Sequence, residues 1–220
     1  MTFDAAMPVI AAILVWFVST GALLWLASAP RAAHAATMAI LSVVMAAATA
    51  GVVLIGGQAS VAGAFAGFVL GVAIWAWHEA AFLFGFLTGP RRSECPPGLS
   101  PWRRFLAASE TVIAHEVAIA LNAALLIALS WNAANQTAMW TFLLLWGMRL
   151  SAKANIFVGA PHLSDELLPE RLRYLKSYFG PKPTTVFVAA TMILITIITL
   201  ALAAAAIAAP AGAHHGASLG

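Results

Sequence analysis

Two His-Glu dipeptides lie inside strongly apolar stretches of the sequence, at His78-Glu79 and at His115-Glu116. Imidazoles and carboxylates are the side chains that most often transfer protons or hold metal ions in proteins. Placing an ionisable side chain in hydrocarbon costs roughly 2.5–3.5 kcal/mol on insertion scales. The dipeptides therefore indicate a structural or functional site inside an otherwise apolar chain.

The composition indicates the environment in which that site lies. Of the 220 residues, 62% are hydrophobic and 9% are charged, and the mean hydropathy is +0.92. Soluble domains carry about 25% charged residues, and barrel strands alternate in polarity, so long apolar runs predict an all-α, polytopic integral membrane protein. The chain has no dense basic tract, which argues against nucleic-acid binding, and its single cysteine, Cys95, excludes an intramolecular disulfide.

The apolar runs predict six transmembrane helices in one domain, residues 1–220. The predicted spans are residues 8–27, 35–55, 60–87, 105–131, 137–155 and 186–208, with polar loops at 88–104 and 159–185. The end of the fifth span is open between residues 150 and 158. In the longer loop, Leu168, Leu172, Leu175 and Phe179 recur at helical spacing and predict an amphipathic helix in the plane of the lipid headgroups.

The cations sort to one side of this arrangement. All 11 lysines and arginines fall in or next to the loops after spans one, three and five. Cytoplasmic loops are enriched in Lys and Arg, so these loops are predicted to be cytoplasmic and both termini periplasmic, in a bacterial inner membrane. The cytoplasmic loops are expected to contact anionic lipid or partner proteins.

Three spans carry polar side chains at similar depth in the cytoplasmic half of the membrane. Beside the two histidines, this predicted polar cluster comprises Glu79, Glu110, Glu116, Asn122, Arg149, Lys153 and Asn155. It can be a salt-bridge cluster that holds three helices in register, or a functional site. Glu110 lies a turn nearer the interface and can snorkel, and a fifth span ending by residue 150 would let both cations snorkel as well.

The third span also carries a ridge of small residues at Gly63, Gly67 and Gly71. At about 100° per residue, His78 lies on the same face as this ridge. Small residues at such spacing allow the close approach of a second helix. His78 is therefore expected to point into a tight helix interface.

Three kinds of function are considered for the cluster: a metal site, a transport path and pigment ligation. A metal site is disfavoured because the Glu-x-x-His spacing of helix-bundle metal centres is absent. A transport path is disfavoured because the chain lacks inverted repeats and broken helix pairs. Pigment ligation remains open, because a neutral imidazole of His78 or His115 beside glycines and aromatic rings could ligate the magnesium of a bacteriochlorophyll. Cys95, His162 and the tail histidines 214–215 are weaker candidates.

Several segments together resemble the PuhE family, which is described as photosynthetic complex assembly proteins of phototrophic bacteria. They are residues 78–91 (HEAAFLFGFLTGPR), the dipeptide at 115–116, residues 148–161 (MRLSAKANIFVGAP) and residues 168–179 (LPERLRYLKSYF). The resemblance implies a non-enzymatic assembly or pigment-supply factor that acts as a membrane scaffold. Its implied partners are the lipid bilayer and reaction-centre or light-harvesting subunits or pigment-synthesis enzymes, with transient bacteriochlorophyll binding. A membrane enzyme of tetrapyrrole or lipid metabolism that uses the His/Glu cluster, or a small-molecule transporter, is the alternative.

Overall fold

The computed structural model describes residues 3–160, 168–180 and 186–208, and within these ranges it contains helices and no strand. The helices are α1 Phe3–Ser28, α2 Arg31–Leu54, α3 Val61–Leu83, α4 Pro101–Glu110, α5 Ile113–Ser130, α6 Thr137–Val158 and α7 Val186–Ala208, with a 3-10 helix at Glu170–Tyr178 between α6 and α7. The all-α prediction is confirmed for the described residues. Pro8 lies inside α1 rather than in its first turn, because α1 begins earlier than the predicted span.

Helix α3 is the central element, since it contacts α1, α2, α5 and α6. Ser60 caps its N-terminus by accepting a hydrogen bond from the Gly63 N–H at 3.1 Å. The core beside α3 is built from large apolar side chains that are completely buried, including Ile74, Ile119, Leu126 and Phe142. Polar side chains on the inner face of α3 are therefore surrounded by other helices.

Four helices are long and apolar enough to cross a membrane: Met7–Ser28, Arg31–Leu54, Val61–Leu83 and Ile113–Ser130. Their outward faces carry large exposed apolar side chains, among them Phe17, Trp25 and Leu121. Apolar surface of this extent is compatible with a membrane location. Helix α6 is of similar length but less apolar, and α7 contains a further apolar segment, Val186–Ala201. The prediction of six spans is therefore not confirmed by length and composition of the described residues.

Two predicted spans end or break differently in the structure. Helix α3 ends at Leu83 rather than at residue 87, because Gly85 adopts a left-handed conformation (φ 72°) that reverses the chain. The predicted fourth span, 105–131, is divided into α4 and α5 at Thr111 and Val112. At the break the Thr88 carbonyl accepts a hydrogen bond from the His115 N–H at 3.0 Å. One backbone N–H in the first turn of α5, which has no partner within the helix, therefore bonds to a neighbouring loop.

The predicted amphipathic segment is helical, and its apolar face packs against the protein. Residues Glu170–Tyr178 form a 3-10 helix, in which Leu172, Leu175 and Tyr178 are buried. The two leucines pack against Phe82 at the end of α3. This segment is therefore docked onto the protein and closes one end of the helix bundle.

Candidate functional site

His78 lies in the interface of α3 with α5 and α6, as its position beside the glycine ridge predicted. Its side chain is 1% exposed. Its Nε2 lies 3.0 Å from Nδ2 of Asn122, and its Nδ1 has no partner among the described residues. The rings of Phe142 and Trp77 present edges to it, with centroids 5.6 and 5.0 Å away. His78 is thus held by one amide and by aromatic packing.

His115 is completely buried, and both of its ring nitrogens have partners. Nε2–H donates to the backbone carbonyl of His78 at 3.2 Å, so Nδ1 is the lone-pair nitrogen and accepts from Lys153 Nζ at 3.4 Å. Phe82 packs on the ring with a centroid distance of 4.9 Å. His115 therefore ties α5 to the backbone of α3 and to a cation of α6.

Glu116 is the partner of that cation. Its Oε1 accepts a hydrogen bond from Lys153 Nζ, and its Oε2 accepts from Trp146 Nε1 at 3.0 Å. The exposed fractions of the two charged side chains are 16% for Glu116 and 24% for Lys153. Both carboxylate oxygens are satisfied, which is the condition under which an ion pair away from water can stabilise a fold.

A second ion pair lies beside the first. Arg149 Nη2 donates to Glu79 Oε2 at 3.0 Å, which joins α6 to α3. The guanidinium carbon of Arg149 and the ammonium of Lys153 lie 5.5 and 5.3 Å from the centroid of the Phe82 ring. These distances are within the range of cation–π attraction. Two of the three carboxylates in the predicted cluster are thereby brought together with its two cations.

Two members of the predicted cluster lie elsewhere. Glu110 forms an exposed ion pair with Arg91 at 2.7 Å, outside the buried network. Asn155 instead links α6 to α7, because its Oδ1 accepts from Thr191 Oγ1 at 2.9 Å. Since α6 continues to Val158, Arg149 and Lys153 are part of a regular helix, and their charges are paired within the bundle.

The glycine ridge brings α3 and α6 close together, as predicted. A Cβ added at Gly71 would lie 2.8 Å from the Ala138 carbonyl oxygen, and one at Gly67 would lie 3.0 Å from Thr137 Cβ. At the start of α6, Asn135 donates from Nδ2 to the Gly63 carbonyl at 2.8 Å. This contact sets the register of the two helices and was not predicted from the sequence.

A second polar cluster, also missed in the sequence, lies where α2 begins and α3 ends. Arg171 of the 3-10 helix donates from Nη1 to His34 Nδ1 at 2.9 Å and to the Phe84 carbonyl at 2.6 Å. His34 stacks on Phe84 with a centroid distance of 4.4 Å. Burial lowers the pKa of the Arg171 guanidinium, and the nearby charge of Arg31 lowers it further. No local pattern pairs these residues, because they come from distant parts of the chain.

A pigment or a metal ion requires a side-chain donor atom that is free and accessible. Both nitrogens of His115 are engaged, so that ring offers no free position to a metal. Nδ1 of His78 has no partner among the described residues, but its ring is enclosed. Across the described ranges, no three His, Cys, Asp or Glu side chains form a group that could hold a metal ion. His162 and the tail histidines lie outside the described residues, and Cys95 is a free thiol. The folded arrangement does not fit a resident pigment, and ligation by His78 or His115 stays a prediction.

The fold and this site define a helical protein of membrane character whose buried ionisable groups are paired across helices. The chain belongs to a family described as proteins of unknown function, DUF3623, whose model matches residues 2–219. It is also similar to a 30.4 kDa protein of Rhodobacter capsulatus that is named as uncharacterized and as lying in the puhA 5' region. The two are 37% identical over 171 residues, which cover 76% of this chain and 62% of that relative's length. No solved structure matches this chain.

Proposed function

We propose that this protein is a membrane scaffold that acts in the assembly of the bacterial photosynthetic complex. The observation that carries the proposal is the relative in the puhA 5' region, which agrees with the resemblance of residues 78–91 and 148–161 to a photosynthetic assembly family. The paired ionisable network supports a scaffold rather than a catalyst. The rings of His78 and His115 are enclosed by protein, so a substrate has no direct approach to their nitrogens.

In the proposed arrangement six helices cross the membrane: the four that meet the length and apolarity criteria, together with α6 and α7. Pairing of Arg149 and Lys153 with Glu79 and Glu116 lowers the cost of placing α6 in the bilayer. Both termini are periplasmic in this arrangement, and loop 88–104 is cytoplasmic. A reporter active only in the periplasm, fused after Gly220, is expected to be active, and the same reporter inserted after Gly98 is expected to be inactive. The reverse pattern would contradict the proposed orientation.

The assembly role is tested in a phototrophic host by deletion of the gene and complementation with the intact chain. Membranes of the deletion strain are expected to contain less reaction-centre or light-harvesting complex, measured by near-infrared absorption, and complementation is expected to restore it. An affinity tag on the chain is expected to capture complex subunits or pigment-synthesis enzymes. Unchanged amounts of both complexes in the deletion strain would contradict the assembly role.

Transient ligation of bacteriochlorophyll by His78 is a second candidate, and one observation favours it: Nδ1 of that buried ring has no partner in the described part of the chain. Because α5 and α6 enclose the ring, the pigment would bind a state in which these helices have separated from α3. Protein purified from a pigment-making host should then show a bacteriochlorophyll band that His78→Phe removes and Glu110→Gln retains. A colourless wild-type protein would rule out stable ligation under those conditions.

A further inference from the structure

A cavity of about 330 Å³ lies at the end of the bundle where α2 begins and α3 ends. Three arginines line it, Arg31, Arg92 and Arg171, together with His34 and Thr88. Within the described ranges none of the three arginines forms an ion pair, whereas Arg91, Arg149 and Arg173 each pair with a carboxylate. Among the described residues, the cavity therefore concentrates positive charge that no carboxylate pairs with.

His34 lines the same cavity and fixes the position of Arg171. Its Nδ1 accepts from Arg171, so the ring proton lies on Nε2 when the imidazole is neutral. The side chain is 2% exposed, and Nε2 has no partner among the described residues. The buried ring thus holds the Arg171 guanidinium at the wall of the cavity.

The backbone adds to the positive potential. Arg31 is the first residue of α2, and Pro30 before it makes no side-chain cap. The first N–H groups of a helix carry partial positive charge and bind anions. At the other side of the cavity, the left-handed turn at Gly85 lets the Arg171 side chain cross close to the backbone, where a Cβ would lie 2.9 Å from Arg171 Cδ. The donors are thus positioned by two helix ends and a turn.

We propose that this cavity binds the phosphate group of an anionic phospholipid headgroup. Guanidinium groups match the geometry of phosphate oxygens, and three of them face one volume. Phe86 lines the same cavity and keeps 55% of its surface exposed, so open apolar surface lies directly beside the arginines. A ligand with a charged head and apolar chains satisfies both surfaces, and a free phosphate satisfies only one.

The test is lipid binding to the intact chain in detergent, measured by native mass spectrometry with added phosphatidylglycerol or phosphatidylcholine. Wild-type protein is expected to prefer phosphatidylglycerol. Arg31→Gln and Arg92→Gln are each expected to weaken that binding about fivefold, and the double variant about thirtyfold, because each basic side chain near an anionic surface contributes about that factor. These arginines have no described ion pair, so the variants should still fold. The matched control is Arg173→Gln, which removes an exposed arginine of the 3-10 helix outside the cavity.

Two outcomes would overturn the proposal. Equal phosphatidylglycerol affinity in the wild type and in the Arg31→Gln, Arg92→Gln double variant would show that the cavity does not bind the headgroup. Competition by millimolar inorganic phosphate, together with equal binding of both lipids, would assign the site to a soluble phosphate compound. The measurement does not depend on the assembly role, so either proposal can fail without the other.

Discussion

Removal of one member of the Lys153–Glu116 pair is expected to destabilise the protein more than removal of both. In Lys153→Met, the Glu116 carboxylate keeps only the hydrogen bond from Trp146, and His115 loses the donor to its Nδ1. In Glu116→Gln, the Lys153 ammonium is left without its carboxylate. The double variant contains neither charge.

The expected loss in the free energy of unfolding follows from the burial of the two side chains. Loss of one partner from a buried ion pair costs about 3–5 kcal/mol, and exchange of the whole pair for neutral groups is often close to neutral. Because the two side chains retain 16% and 24% exposure, we expect the free energy of unfolding to fall by about 2 kcal/mol in each single variant and by about 1 kcal/mol in the double variant. The double-mutant cycle should then give a coupling energy of about 3 kcal/mol.

The assay is reversible unfolding in mixed micelles of dodecyl maltoside and sodium dodecyl sulfate, followed by circular dichroism. The matched control is Glu110→Gln, which breaks the exposed pair with Arg91 and is expected to leave the transition unchanged within error. Additive losses in the double variant would refute the reasoning, because they would mean that the two side chains stabilise the fold independently.

The packing of α3 against α6 and the structural role of Glu116 can be tested in the same way. Gly71→Ala is expected to cost about 1–3 kcal/mol in the same unfolding assay, because the added Cβ meets α6, whereas Gly147→Ala, with nothing near its added Cβ, should be neutral or gain up to about 1 kcal/mol. Equal effects would contradict close packing along the ridge. Asn135→Ala should cost about 1–2 kcal/mol, since it leaves the buried Gly63 carbonyl without its side-chain donor. Glu116→Gln should lower the amount of protein in membranes. If this variant accumulates normally but an enzymatic activity of the protein is lost, the membrane-enzyme alternative would be favoured.

The sequence predicts a feature correctly where all the residues that define it follow from the geometry of regular helices. The spacing of Gly63, Gly67 and Gly71 predicts a ridge on any regular helix, and the structure fills that ridge with α6. Counting residues from the ends of the apolar runs also predicted that Glu116 and Lys153 share a depth, and the two meet. Both inferences need only the rise and rotation of an α-helix.

The sequence was uninformative where a distant segment supplies the partner. The break between α4 and α5 depends on the Thr88 carbonyl, which takes the His115 N–H from another loop. Arg171 reaches His34 across 137 positions of the chain. The pattern around Leu172 predicted an amphipathic helix in the plane of the headgroups, whereas its apolar face packs on Phe82. Periodicity does not distinguish lipid from protein as the surface that covers such a face.

The distribution of paired and unpaired charge connects the two clusters. Inside the bundle, Glu79 and Glu116 are each matched by one cation of α6, so the buried network carries no net charge when its histidines are neutral. A proton path would require such groups to change charge, and each change would leave an uncompensated ion in the apolar interior. At the end of the bundle, Arg31, Arg92 and Arg171 lack a described carboxylate and face a cavity. The interior network therefore suits a fixed framework, and the cationic cavity is the place where an external anion gains most by binding.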